Sequence, residues 1–117
     1  MILPGNQSKE RISNEEVSNK TLECLKNSVP RDVPGIAFLS GGQSESEATE
    51  NLNLINKKNN TNFIITYSYG RALQQSALKM WSKNIKDVEG TQKTFNHRAK
   101  MCTLAAQGKW VRELESK

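Results

Sequence analysis

Val33-Pro34-Gly35-Ile36-Ala37-Phe38-Leu39-Ser40-Gly41-Gly42-Gln43-Ser44-Glu45-Ser46-Glu47 is the stretch on which the fold turns. Ile36-Ala37-Phe38-Leu39 is a continuous apolar run between Gly35 and the Gly41-Gly42 pair. A short run of this kind bounded by turn residues predicts a strand buried on both faces, as in a parallel sheet. Ser44 followed three residues later by Glu47 is a capping box, which starts a helix by satisfying its first free N–H groups. Ala48, Leu52 and Ile55 continue that helix at spacings of 3 and 4.

The same alternation extends in both directions. Downstream, Asn56 to Asn62 is a polar, Asn-rich loop, and Phe63-Ile64-Ile65-Thr66-Tyr67 is a second β-branched and aromatic strand. Ser68-Tyr69-Gly70 leads out of it into a helix from Arg71 to Trp81, with Leu73, Ala77, Leu78 and Trp81 apolar. Asn84 and Asp87 can cap a last helix whose face is Ile85, Val88, Phe95, Ala99, Cys102, Ala106 and Trp110, with Gln92 as a polar exception. Upstream, Ser13-Asn14-Glu15-Glu16 is another capping box, and Val17, Thr21, Cys24, Leu25 and Ser28 form a weakly apolar face that Pro30 and Pro34 end. The order α, β, α, β, α, α implies parallel strands joined by crossover helices. Two parallel strands leave edges that need further strands, so the pattern reads as a piece of a larger α/β protein.

Two strand-to-helix turns carry the chemistry. Ser40-Gly41-Gly42-Gln43 offers a hydroxyl at a strand end and two glycines where backbone can approach a ligand. The helix behind it presents free N–H groups that favour an anion. Ser68-Tyr69-Gly70-Arg71 repeats the arrangement. Arg71 stands at a helix start, where the macrodipole disfavours a cation, and an anionic ligand removes that conflict. Each turn alone is also an ordinary strand-to-helix connection or a solvated arginine. Together, after adjacent strands, they match the place where (β/α)8 barrels commonly hold phosphate. Neither the dinucleotide nor the P-loop glycine pattern is present.

Composition bounds the remaining choices. The chain has 117 residues, 35% of them apolar, and a net charge of +5. That is at most one domain. No apolar run reaches the roughly 20 residues of a membrane-spanning helix, and the N-terminus lacks a signal-peptide core. Cys24 and Cys102 make neither a disulfide framework nor a metal quartet. They are expected as buried free thiols in a reducing compartment, hence a cytoplasmic protein. Residues 1–60 have a net charge of −1 and residues 61–117 a net of +6. The basic half admits a nucleic-acid binder, but its cations are spread along two helices without an aromatic stacking platform, so nucleic acid is not the expected partner. Lys79, Lys83 and Lys86 read as a solvated face. His97, the only histidine, reads as a surface or partly packed side chain.

These residues resemble class I fructose-bisphosphate aldolases. Val33 to Ser44 is similar to the family's "VPGI.FLSGGQS" segment, and Glu47-Ala48-Thr49, Asn51-Leu52-Asn53 and Ile55-Asn56 to its next helix. Thr66 to Gln74 with Ser76-Ala77-Leu78-Lys79 resembles "FSYGRALQ.SALK". Arg98-Ala99-Lys100, Leu104-Ala105-Ala106 and Gln107-Gly108-Lys109 resemble the late helix. The likeness runs from about Pro4 to Trp110.

The resemblance implies an α/β fold, the C-terminal part of a TIM (β/α)8 barrel with two parallel barrel strands and flanking helices, over residues 1–117. It implies a lyase of glycolysis that reversibly cleaves fructose 1,6-bisphosphate into dihydroxyacetone phosphate and glyceraldehyde 3-phosphate. The chemistry would run through a lysine imine, with no cofactor and no metal. Ser40, Gly41, Gly42, Ser68, Gly70 and Arg71 would hold the ketose C1 phosphate, and the whole enzyme would be a homotetramer. In the family the Schiff-base lysine lies a few residues before the position matched by Met1, and the other catalytic residues lie earlier. Catalytic residues are therefore expected to be absent from this chain, as are six barrel strands. Trp110 replaces the usual Tyr, Asn6-Gln7-Ser8 departs from the family segment, and the longer tail with its terminal tyrosine is not matched. The expectation is the last third of an aldolase, with a truncated, non-catalytic product that binds a phosphate ester or a protein partner as the alternative. The isolated chain is expected to be poorly folded or aggregation-prone, because its strand edges and helix faces lack their partners.

Overall fold

The computed structural model describes residues 1–116. Its elements are α1 (Asn14–Ser28), β1 (Gly35–Phe38), α2 (Glu45–Lys58), β2 (Ile64–Tyr67), α3 (Arg71–Lys83) and α4 (Val88–Ala106), followed by a 3-10 turn over Arg112–Ser116. β1 and β2 pair in parallel, with Ile36 beside Ile65 and Phe38 beside Tyr67. The crossover between them is α2, as the alternating sequence pattern predicts.

The core lies between this sheet and the helices. Phe38, Ile65 and Tyr69 join Ala48, Leu52 and Ile55 of α2 and Met101, Cys102 and Ala105 of α4. The other face of the sheet is bare. Leu39 is 71% and Ile64 74% exposed, so burial on both faces does not hold. The strand register explains why. Alternate residues point to opposite faces, and helices cover only one of them. The uncovered side chains are those that a closed barrel would turn inward.

α2 follows its sequence closely. The Ser44 side chain accepts from the Glu47 N–H, and Glu47 returns the bond to the Ser44 N–H, completing the capping box. At α1 the Ser13 side chain accepts from the Glu16 N–H, but the buried face is Val17, Ser18, Thr21 and Leu22. It is rotated from the expected one. Ser18 donates to the Glu15 carbonyl and the Thr21 hydroxyl accepts from the Ile2 N–H, so both can be buried without an unmet polar group. Cys24 consequently faces out, a correction to its expected burial, whereas Cys102 is buried.

The last helix is shorter than expected. Asp87 caps it by accepting from the Gly90 N–H at 2.9 Å. It stops at Ala106 because Gly108 turns the chain with φ +67°. Gly108 N–H reaches the Ala105 carbonyl and Lys109 N–H the Leu104 carbonyl, the two bonds of a Schellman end. Trp110 is therefore not a helix-face residue. It folds back onto α2, where Asn53 binds both its N–H and its carbonyl at 3.0 Å. Ile85, Val88 and Phe95 are exposed and lie off the buried face.

Candidate anion-binding site at the strand exits

Because β1 and β2 are parallel, their exits open at one end of the sheet, and the six predicted site residues lie there. Ser40 is buried, while Gly41, Gly42, Ser68, Gly70 and Arg71 are exposed. The first loop is held from below. The Ser40 carbonyl accepts the Gln43 backbone N–H at 3.2 Å and its side-chain amide at 3.0 Å. Asn51 then donates to Gln43 Oε1 at 2.8 Å. Gly41 has φ +57°, which a side chain would strain, and a Cβ at Gly41, Gly42 or Gly70 would meet no atom within 4 Å. The open space lies in front of the backbone, where a ligand can approach.

The second loop continues the ladder, with Ser68 N–H bound to the Phe38 carbonyl at 2.8 Å. Tyr69 points the other way. It is buried, and its hydroxyl donates to the Ala48 carbonyl of α2 at 2.9 Å. Burial pushes its phenol upward, reinforced by Cys102 and then Tyr67. The two loops meet directly, because Ser40 Oγ accepts the Ala72 N–H at 3.4 Å. α3 begins at Gly70 without a side-chain cap and without an acid in its first turn. The positive end of the α3 dipole and the Arg71 side chain thus stand together with no acidic residue in that first turn. Among the described residues Arg71 makes no ion pair.

The chemistry available is that of an oxyanion holder: hydroxyls, glycine amides, a helix start and one guanidinium. Among the described residues no group of three or more His, Cys, Asp or Glu side chains converges. Lys79, Lys83 and Lys86 are exposed away from the loops, and His97 is half-buried with Nε2 3.9 Å from Glu115. Burial pushes the Cys102 thiol up, against the lowering effects of Thr49 and Arg98. Two surface grooves lie elsewhere. One of about 580 Å³ runs between α3 and α4 beside Leu78, Trp81 and Phe95, and one of about 510 Å³ lies near Lys26, Arg31 and Phe63.

Sequence reasoning missed the supports: Gln43, Asn51, Glu45 and Tyr69. A signal existed for Tyr69. Ile65, Tyr67 and Tyr69 continue one period-2 series past the strand end, so its ring belongs on the core side.

The structure and the residues agree with known proteins. A family model for class-I fructose-bisphosphate aldolase matches residues 1–117. Fructose-bisphosphate aldolase 2, chloroplastic, of Arabidopsis thaliana is 48% identical over 116 residues, 99% of this chain and 29% of its own length. A probable fructose-bisphosphate aldolase class 1 of Xylella fastidiosa is 44% identical over 111 residues, 94% of this chain and 33% of its own. A Plasmodium falciparum fructose-bisphosphate aldolase, solved with TRAP and a small-molecule inhibitor, superposes with a TM-score of 0.86 at 38% identity. That superposition covers 92% of this chain and 31% of the solved one. The chain spans about a third of the length of these relatives. Its two strands and four α-helices are an open α/β piece of the aldolase TIM barrel. No described helix is long and apolar enough to cross a membrane. The chain belongs to the class I fructose-bisphosphate aldolase family.

Proposed function

We propose that this segment supplies the C1-phosphate site of a class I aldolase that reversibly cleaves fructose 1,6-bisphosphate to dihydroxyacetone phosphate and glyceraldehyde 3-phosphate. The observation that carries it is the Ser40–Ala72 contact, which joins the first loop to the start of α3, beside an Arg71 that makes no ion pair among the described residues. Ser40 Oγ accepts from Ala72, so its own proton is free to donate outward. Ser68 supplies a second hydroxyl, Gly41, Gly42 and Gly70 supply backbone N–H groups, and Arg71 supplies charge. A phosphate dianion at this place offsets the helix dipole and the arginine together.

Bond cleavage needs an activated amine that attacks the ketone. By family resemblance that lysine precedes the position of Met1, so this chain binds but does not cleave. The first two-thirds of the barrel would complete the site and cover the bare sheet face. The whole enzyme would be a homotetramer in the cytoplasm, a reducing compartment that keeps Cys24 and Cys102 as thiols.

The test is a titration of the 117-residue chain with inorganic phosphate and dihydroxyacetone phosphate, followed by amide NMR. Saturable shifts at Ser40–Gly42 and Gly70–Ala72 that vanish in Arg71→Ala support the site. Unchanged affinity in Arg71→Ala removes it. Fructose 1,6-bisphosphate is expected to stay intact with the chain alone and to be cleaved once the chain is co-expressed with the remaining two-thirds of a relative. Cleavage by the pure chain contradicts the assignment of the lysine elsewhere. The mass of the endogenous protein separates an aldolase from a truncated product, since the latter would weigh 13.1 kDa.

A further inference from the structure

We infer that Glu45 is a positioning residue whose carboxylate, held between Ser76 of α3 and Arg98 of α4, sets the relative placement of the Ser40–Gly42 and Ser68–Arg71 loops. What those loops bind rests on the function proposed above; that Glu45 places them does not.

Glu45 opens α2, directly behind the first loop. Its carboxylate does more than complement the α2 dipole. Oε1 accepts the Ser76 backbone N–H at 2.7 Å and Oε2 the Ser76 hydroxyl at 2.6 Å. Ser76 lies one turn beyond Ala72, whose N–H binds Ser40 Oγ. Residues four apart share one face of a helix. α3 is therefore tied at two points along one stripe, at Ala72 to the first loop and at Ser76 to the start of α2. A single tie fixes a distance and leaves rotation free. Two ties fix both, and both loops hang from the ends so fixed.

Glu45 is itself held from behind. Arg98 Nε lies 3.5 Å from Glu45 Oε2, and the two side chains are only 10% and 11% exposed. The guanidinium is oriented by others. Nη1 donates to Thr49 Oγ1 at 3.1 Å and to Glu115 Oε1 at 2.9 Å, and Nη2 to Glu115 Oε2 at 2.8 Å. Trp110 Nε1 also donates to Glu115 Oε1, at 3.0 Å. A bidentate Arg–carboxylate pair has one preferred plane, so Arg98 meets Glu45 at a set angle. A helix-dipole acid needs none of this. Glu47 in the same turn serves the cap and touches neither α3 nor α4 through a hydrogen bond or ion pair among the described residues.

The experiment compares amide shifts of the ligand-free chain in Glu45→Ala, Glu45→Gln and Ile55→Val. Ile55 is fully buried farther along the same helix and makes no side-chain tie to the loops, so its truncation lowers stability through packing alone. Glu45→Ala is expected to move the amides of Ser40–Gly42 and Gly70–Ala72 together, while Ile55→Val leaves them in place. Glu45→Gln still accepts one Ser76 donor, so it moves them less and keeps the inference testable if the alanine variant does not fold. Loop amides that stay put in both Glu45 variants overturn the inference. So does Ile55→Val moving them equally, because the role would then be general stability. Inorganic phosphate is then titrated, with affinity expected to fall about tenfold in Glu45→Ala, the scale of one charge-assisted hydrogen bond. If Arg71→Ala leaves phosphate affinity unchanged, the proposed function fails, and the ligand-free shifts still decide the role of Glu45.

Discussion

Tyr69→Phe isolates one buried hydroxyl in the second loop. The hydroxyl donates to the Ala48 carbonyl at 2.9 Å. The ring, 5% exposed, packs in the core and lies 5.3 Å from the Tyr67 ring. Phenylalanine keeps the ring and opens no cavity larger than the oxygen. The Ala48 carbonyl lies within α2, where the helix's own i+4 amide is a second donor, so it is not left bare. The loss is thus one net hydrogen bond, about 1 kcal/mol at pH 7, or a drop of roughly 4 °C in Tm for a chain of this size. Burial raises the folded phenol above its ordinary value near 10, which makes the difference depend on pH. Above that value the unfolded phenol loses its proton and the folded one keeps it. The unfolded state then binds fewer protons, and stability falls as pH rises. The contribution is complete below pH 10 and shrinks above it. At pH 11, one unit past the unfolded value, the loss is about 1.4 kcal/mol. All other ionisations are shared by the two proteins and cancel. Urea unfolding at low micromolar concentration, followed by far-ultraviolet dichroism at pH 7 and pH 11, measures both differences. The wild-type advantage should be present at pH 7 and gone by pH 11. An advantage that persists at pH 11, or none at pH 7, refutes the reasoning.

Three further outcomes follow from the packing. Asn53→Ala strips partners from both the N–H and the carbonyl of buried Trp110; a loss of about 2–4 kcal/mol is expected, with a red shift of tryptophan emission, and an unshifted spectrum counts against it. A chromogenic disulfide should label one thiol quickly, the exposed Cys24, and Cys102 only on unfolding, because burial both shields it and raises its thiol. The chain should self-associate in sedimentation runs, and Ile64→Lys on the bare sheet face should shift it toward monomer; a wild-type chain that is monomeric at every concentration removes that expectation.

What the sequence made legible was local. The Ser44 capping box, the Ala48–Leu52–Ile55 stripe and the two strands are each dictated by neighbours within a turn or by a period of two or 3.6. The six loop residues were legible for the same reason, since a glycine-bearing turn after a strand is a local pattern. Its meaning was not. The turn chemistry fits an ordinary connection as well as an anion site, and only the family resemblance chose between them. The remaining features escaped because their partners are distant in the chain. Asn53 meets Trp110 at a separation of 57 residues, and Arg98 meets Thr49 at 49. No periodicity encodes such pairs. α1 misled for another reason: apolarity predicts which side chains avoid water, whereas Ser18 and Thr21 are buried because the backbone answers their hydroxyls.

Those distant pairs bear on what a third of a barrel can do. In a closed barrel the strands hold one another through an unbroken ring of hydrogen bonds. Here the pair β1–β2 has one covered face, and the cohesion comes from α2. Asn51 ties it to the first loop, Asn53 to the chain after α4, Asn56 to the Ala105 carbonyl, and Glu45 to α3. Buried amides of this kind cost free energy unless every one is paired. Asn51 Oδ1 is buried without a partner among the described residues, whereas the Asn53 amide is met at both ends, and paired amides specify a single arrangement more sharply than apolar contact does. The Glu45 and Asn51 ties lie behind the strand exits, whereas Asn53 and Asn56 tie the farther part of α2 to the chain at the end of α4. The strand-exit end is therefore braced by this segment's own contacts, while the other face of the sheet is left uncovered. Under the proposed function, phosphate binding would draw on the helix layer described here and imine chemistry on the rest of the barrel.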